Sequence, residues 1–153
     1  MHMILGIRCS NTDYHYALLG GTKKAPVVES QGAISFPSGM KKPIALKWMV
    51  DEIRDQLRKN KIDKVVIKGP EPSAARTSAL VERIEYEAAI LIACAEAGLR
   101  AAFKKVKSTI AKDLGLKGKA RYLKTLDTSV IERFDTLPEK SQEAVLAAWT
   151  ELT

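Results

Sequence analysis

The sequence predicts an α/β domain built on a mixed five-stranded sheet with helices on both faces. Three observations carry this. Three β-patterned runs joined by short turns open the chain. Two further strand-like runs come later, each preceded by a helical pattern. Between the two halves the apolar period changes from near two to between three and four. Antiparallel strands that feed βαβ crossovers give a mixed sheet with helices packed on either side.

Each element has its own local signal. Residues 3–9 form a short apolar run, and Ser10-Asn11-Thr12-Asp13 turns the chain into a second run over 14–19. Gly20-Gly21-Thr22 breaks it, and 27–36 is the third extended stretch. Gly20-Gly21-Thr22-Lys23 has a superficial likeness to a phosphate loop. Without the spacing or a following helix it reads as a hairpin turn. Over 43–60, Ile44, Met49, Val50, Ile53 and Leu57 recur at spacings near three and four, an amphipathic helix. A β-branched strand over 63–68 stops at Gly69-Pro70. A long helix rich in Ala, Glu and Leu is expected over 74–97, with Gly98 just past its C-cap. Residues 99–106 read as the fifth strand, and helices are expected at 108–114, 120–134 and 138–152, the last opened by Pro138. No linker, repeat or low-complexity tract interrupts the pattern, so one domain over 1–153 is expected.

At 153 residues the chain can bury a core without disulfides. No apolar run approaches the roughly 18 residues of a membrane span, and the first residues read as a strand, not a signal peptide. Cys9 and Cys94 lie far apart in apolar segments, as reduced thiols of a cytoplasmic protein would. Cys9 is next to Arg8, which could lower its pKa, but a buried strand cysteine is the commoner arrangement. His2 and His15 stand alone and do not suggest a metal site. Trp48 and Trp149 have apolar neighbours at helical spacing, which suits core or subunit contacts, and Leu146 and the long helix offer further surface for a homodimer.

The net charge is +7, and its distribution is uneven. Residues 100–124 hold nine cations, Arg100, Lys104, Lys105, Lys107, Lys112, Lys117, Lys119, Arg121 and Lys124, against Asp113 alone, so the segment carries +8. The rest, with 16 cations and 17 acids, carries −1. Such a block suggests a polyanionic partner, with a solvated basic face as the alternative.

The order of elements resembles that of the RNase H-like superfamily, and several stretches resemble its RuvC Holliday junction resolvase branch. Ile4-Leu5-Gly6-Ile7-Arg8-Cys9-Ser10-Asn11 stands where that family opens with I-L-G-I-D-x-G-x. Val65-Val66-Ile67-Lys68 matches the fourth strand, which ends on a catalytic Glu in the family. The long Ala-rich helix, Val106-Lys107-Ser108 and the Lys117-Gly118-Lys119-Ala120 loop match the family's next elements in turn. Residues 140–148 occupy the place of the final D-x-x-D-A-L-A helix. Residues 63–68 and 85–90 also look like a group of short, uncharacterised RuvC-related bacterial proteins. The resemblance covers nearly the whole chain.

It implies phosphodiester cleavage by two divalent metals, held by carboxylates from strand one, strand four and the last helix. Here Arg8, Lys68 and Lys140 stand at three of those positions, and only Glu143 keeps a carboxylate. A shifted match would bring Asp13, Glu71, Glu139 or Asp135 nearer. Three cations and one acid repel a divalent ion, so no metal, no other cofactor and no catalytic residue is expected. Arg8 and Lys68 could instead hold a phosphate at the strand ends, or Arg8 could simply pair with Glu143 and close the cleft. The loop after strand four, Gly69-Pro70-Glu71-Pro72-Ser73, lacks the aromatic wedge of the family. Phosphate contact is expected from Lys104, Lys105, Lys107, Lys117, Lys119, Arg121 and Lys124, with Gly115 and Gly118 allowing close backbone approach. Tyr122 is the only aromatic among them, too few for a base-stacking platform. The expectation is a non-catalytic module that binds nucleic acid, DNA in preference to RNA, through this segment and a positive cleft. A protein-binding scaffold is the alternative, and a cryptic metal nuclease the minority one.

Overall fold

A computed structural model of the chain describes residues 3–99 and 101–153. His2 and Arg100 lie outside the described residues. Alternation along the first strand, β1 (Met3–Cys9), sets the two sides of the sheet. Leu5, Ile7 and Cys9 join one buried cluster, and Ile4 joins the other. Strands β2 (Asp13–Gly21) and β3 (Pro26–Ser35) continue as an antiparallel meander. Strands β4 (Ile62–Lys68) and β5 (Ala101–Lys105) add in parallel on the far side of β1. The order is β3-β2-β1-β4-β5, the expected mixed five-stranded sheet.

Helices α1 (Lys42–Lys59) and α2 (Ser78–Glu96) cover the face that carries Leu5 and Ile7. The buried residues of α1, Ala45, Met49, Val50 and Ile53, keep the helical spacing read from the sequence. Phe36 stacks on Tyr86 with ring centroids 3.9 Å apart, and Trp48 meets Phe36 edge-on at 5.9 Å, so Trp48 is a core contact. Helix α2 starts later than the sequence suggests. The Thr77 hydroxyl accepts from the Leu80 N–H at 3.1 Å and caps it, leaving 74–77 outside the helix. It ends as expected: Gly98 has φ +74, and the Leu99 and Gly98 N–H groups donate to the Cys94 and Ala95 carbonyls. That pair of bonds is a Schellman motif.

The helix expected over 120–134 does not form. Ala120–Thr125 and Phe134–Thr136 are separate short 3-10 turns. Between and beside them, local bonds compete with a helical backbone. The Thr125 hydroxyl donates to the Tyr122 carbonyl at 2.6 Å, and the Asp127 carboxylate accepts from both the N–H and the hydroxyl of Ser129. Thr, Asp and Ser favour turns for this reason. Arg133 then takes φ +60, a left-handed conformation that no helix interior contains.

The other sheet face is covered by α3 (Lys107–Asp113), the 120–137 segment and α4 (Glu139–Trp149). Trp149 is buried there and donates from Nε1 to the Lys23 carbonyl at 2.8 Å, so it is core and not a subunit contact. Helix α4 crosses β1 at Gly6. A Cβ on Gly6 would overlap the Ala144 carbonyl oxygen and come within 3.0 Å of the Ala148 Cβ. Only glycine permits this approach, because the obstacle is backbone and cannot rotate away.

Gly6→Ala is therefore expected to lower stability by about 2–3 kcal/mol. Gly118→Ala, whose new Cβ would meet the Lys112 Cβ at an ordinary 3.8 Å, should stay within about 0.5 kcal/mol. Denaturant unfolding of the two variants checks the contrast.

Candidate functional site

The C-terminal ends of parallel strands are where ligands meet sheets of this kind. The first turns of helix α4 reach the C-terminal end of β1 and the start of β2 beside it. Glu143 accepts from Arg8 Nε at 2.5 Å, and the Arg8 guanidinium also donates through Nη1 to the Cys9 carbonyl. Lys107 Nζ stands 3.8 Å from the other Glu143 oxygen. Its backbone N–H donates to Glu71 Oε2 at 3.1 Å, and Glu71 in turn pairs with Lys68 at 2.9 Å. Lys68 is only 2% exposed and donates to the Gly69 carbonyl at 2.6 Å. The result is an alternating series, Arg8, Glu143, Lys107, Glu71, Lys68. Burial by itself would raise the Glu71 carboxyl, but the bonds from Lys68 and the Lys107 N–H outweigh it and hold the group below its usual range.

Lys140 sits one turn before Glu143, 3.9 Å from Asp13. Asp13 also accepts from the Ser10 hydroxyl at 2.7 Å and faces His15 Nε2 at 3.5 Å. The His15 Nδ1 meets the Ser141 hydroxyl at 2.8 Å, so this histidine is buried beneath α4 and tied to it. Of the acids that a shifted match would bring closer, Glu71 and Asp13 do stand at the rim, and each is engaged by a lysine. Glu139 and Asp135 are exposed. Two metals need several converging, uncommitted carboxylates. Among the described residues no group of three His, Cys, Asp or Glu side chains could hold a metal ion, and the carboxylates nearest the strand ends already face cations. The residues present do not fit the metals that the fold implies.

A phosphate between Arg8 and Lys68 is one expectation from the sequence. Lys68 is buried on Glu71 and does not share a cleft with Arg8. Arg8 instead opens, with Arg83 and Lys140, onto a cleft of about 220 Å³ at the first turn of α2. Arg83 does not stand out in the sequence. Its only signal there is that it is the one cation of a helix that carries four glutamates, with Glu87 four residues later.

The basic segment divides in a way that its sequence conceals. In β5, Lys104 and Lys105 point to opposite faces. Lys104 pairs with the fully buried Glu87 at 2.7 Å, and Arg83 holds the other oxygen of Glu87 at 3.2 Å. Lys105 is 8% exposed and donates to Asp113, Glu151 and Thr150 at 2.7, 2.6 and 2.9 Å. Contrary to the sequence reading, Lys105 is thus enclosed and Lys104 committed to a buried acid. Lys107 serves the strand-end series. Lys117, Lys119, Arg121 and Lys124 are exposed. Lys117 and Arg121 flank the Tyr122 ring, 5.5 and 5.0 Å from its centroid. Lys124 and Lys107 line one depression beside Glu143, which joins this flank to the strand ends. Gly115 has φ +85 and closes α3, with the Gly115 and Leu116 N–H groups bonded to the Lys112 and Ala111 carbonyls. Its role is that of a helix terminator, not of an opening for a ligand backbone. Cys9 is buried, and that burial, with the Glu87 charge, pushes its thiol well above the usual range despite Arg8.

The sheet order and the helices on its two faces define an RNase H-like fold of the RuvC type. Against solved structures, the chain is similar to Thermus thermophilus RuvC, both alone (TM-score 0.73, 12% identity, 97% of this chain and 92% of that one) and in complex with a Holliday junction substrate (TM-score 0.72, 12% identity, 98% and 92%). It is also similar to Ydc2, the yeast mitochondrial Holliday junction resolvase (TM-score 0.64, 10% identity, 96% of this chain and 75% of that one). No protein-family model matches the chain, and no curated protein matches it in sequence.

The two kinds of lysine should separate on mutation. Lys105→Met leaves two acids facing each other and is expected to cost about 3 kcal/mol. Lys117→Ala is expected to change stability by no more than about 0.5 kcal/mol. Urea titration of both variants tests this.

Proposed function

We propose that this chain is a non-catalytic RuvC-like module, one domain over residues 1–153, that binds nucleic acid through its phosphates in the cytoplasm. The observation that carries the reading is the charge at the strand ends. Arg8, Lys68 and Lys140 stand where the resemblance calls for metal-binding acids, and Glu143 is spent on Arg8. Lys68 is buried on Glu71, but Arg8 and Lys140 line, with Arg83, a cleft that holds no acid, and a polyanion suits that surface where a divalent cation does not. The exposed Lys117, Lys119, Arg121 and Lys124 extend the positive field away from the cleft. Thermus thermophilus RuvC has been solved with a Holliday junction substrate, which makes DNA the first ligand to test. The two cysteines are free and buried, as a reducing compartment allows. No helix among the described residues is long and apolar enough to cross a membrane.

Binding of duplex and junction DNA should fall steeply with salt. The Lys117→Ala/Lys119→Ala/Arg121→Ala variant should lose at least about tenfold in affinity at low salt and reduce the salt slope by about 3. No cleavage should appear with Mg²⁺ or Mn²⁺. Salt-independent binding, or cutting abolished by Glu143→Gln, would overturn the proposal.

A second feature supports a homodimer. Helix α2 leaves Val81, Ile84 and Ile92 between 39% and 55% exposed, with Ala88 and Ala95 on the same stripe. The spacing of 81, 84, 88 and 95 repeats as a heptad seam does. Two copies crossed antiparallel near residue 86 would set Val81 against Ile92 and Ile84 against Ala88. Wild type should sediment as a dimer in the micromolar range and Ile84→Glu as a monomer. A wild-type monomer throughout that range would sink the idea.

A further inference from the structure

We propose that Arg8, Arg83 and Lys140 form a receptor for a phosphate monoester in the cleft between the end of β1 and the first turn of α2. This rests on the reading of the strand ends as an anion site, and it names the group that the site takes.

The donors come first. Each guanidinium is held on two sides and keeps a third side free. Arg8 gives Nε to Glu143 and Nη1 to the Cys9 carbonyl. Arg83 gives Nε to Glu87 at 3.2 Å and Nη2 to the Lys68 carbonyl at 2.9 Å. Among the described residues, Arg8 Nη2 and Arg83 Nη1 have no partner. Both side chains line the same cleft of about 220 Å³, and Lys140 lines it from α4. The anchoring bonds fix the forks before any ligand arrives, so little rotamer entropy remains to be lost on binding.

The charges point to an anion of more than one charge. The lining holds three cations and no acid. The counter-charges, Glu143, Glu87 and Asp13, lie behind the cations and not in the cleft. Side-chain exposure is 17% for Arg8 and 11% for Arg83, so their attraction for an anion is weakly screened. Burial and the like charge of Arg8 hold the Arg83 guanidinium below its usual range. An anion between the two groups relieves that repulsion. Ala79 and Leu80 of the first α2 turn add the positive end of a long helix to the same wall. A phosphodiester offers one charge and two free oxygens. A monoester offers nearly two charges and three oxygens, one for each cation.

Such a group occurs at the 5′ end of a nucleic acid strand and in a free mononucleotide, and the test separates the two. One arm compares a 5′-phosphorylated oligonucleotide with its 5′-hydroxyl form. The other compares a nucleoside 5′-monophosphate with the nucleoside, read by amide shifts. Arg83→Gln and Lys140→Gln are measured in both arms. Lys140 is the more exposed of the two and its loss leaves the fold intact even if Arg83→Gln unfolds. Wild type should prefer the phosphorylated member about tenfold or more, the gain of a charge-assisted bond. Both variants should lose that preference, whereas the Lys117/Lys119/Arg121 triple alanine variant should keep it while binding the whole oligonucleotide more weakly. A preference confined to the mononucleotide assigns the receptor to free nucleotides; the nucleic-acid reading fails separately, if the triple alanine variant binds the whole oligonucleotide as wild type does. Equal binding of phosphorylated and unphosphorylated members in both arms overturns the proposal. So does a preference that survives Lys140→Gln.

Discussion

The close crossing of α4 over β1 at Gly6 is the constraint on which the rest of the site depends. With Ala144 and Ala148 packed directly on the strand backbone, the helix axis lies as near the sheet as main-chain atoms permit. That approach gathers dispersion contacts that larger side chains would supply by volume. It also settles, through helical periodicity, what the exposed edge of α4 can reach. Glu143 falls within bonding distance of Arg8, Ser141 meets His15, and Lys140 faces Asp13. Withdraw the helix by the width of one methyl group, and each of these contacts lengthens together.

The polar contacts so assembled are nearly self-neutralising. Along the strand ends every carboxylate touches a cation, and Lys107 serves two acids, one through its ammonium and one through its N–H. Taking charges out of water costs free energy that mutual attraction only roughly repays. The series is therefore better understood as fixing positions than as adding stability. Its effect on chemistry is direct. A divalent ion at this place would have to strip a lysine or arginine from each carboxylate it used. It would also have to sit within a few ångströms of the cations it had displaced. A neutral lining would offer a divalent ion a weak site, whereas this cationic one opposes it.

Much of this is legible in the sequence. The meander, the amphipathic α1, the Gly98 terminus and the pairing of Arg8 with Glu143 all come from local pattern or from the order of motifs. Residues 120–134 mislead because apolar residues recur there at helical spacing. That pattern hides the turn-forming bonds of Thr125 and Asp127. The fates of Lys104 and Lys105 are not legible at all. Adjacent strand residues point to opposite faces, and the partners that claim them, Glu87 on one side and Glu151 and Asp113 on the other, are set by tertiary packing. Arg83 is hidden for the same reason: its role comes from the end of β4 and from Arg8, both distant in the chain.

That division changes what the basic segment amounts to. As sequence, residues 100–124 carry +8. In space, Lys104 is matched by Glu87, Lys105 by Asp113 and Glu151, and Lys107 by Glu143. Among the described residues of the segment, Lys112, Lys117, Lys119, Arg121 and Lys124 remain exposed with no acidic partner. Each phosphate neutralised on duplex DNA contributes about 0.9 to the salt slope, so these five cations set a ceiling of about 4.5 for the flank by itself. A slope beyond that would need cations outside the flank, and those of the cleft, Arg8, Arg83 and Lys140, already have acids behind them. On the proposed reading, the flank governs how strongly a polyanion is held and the cleft governs which phosphate is chosen.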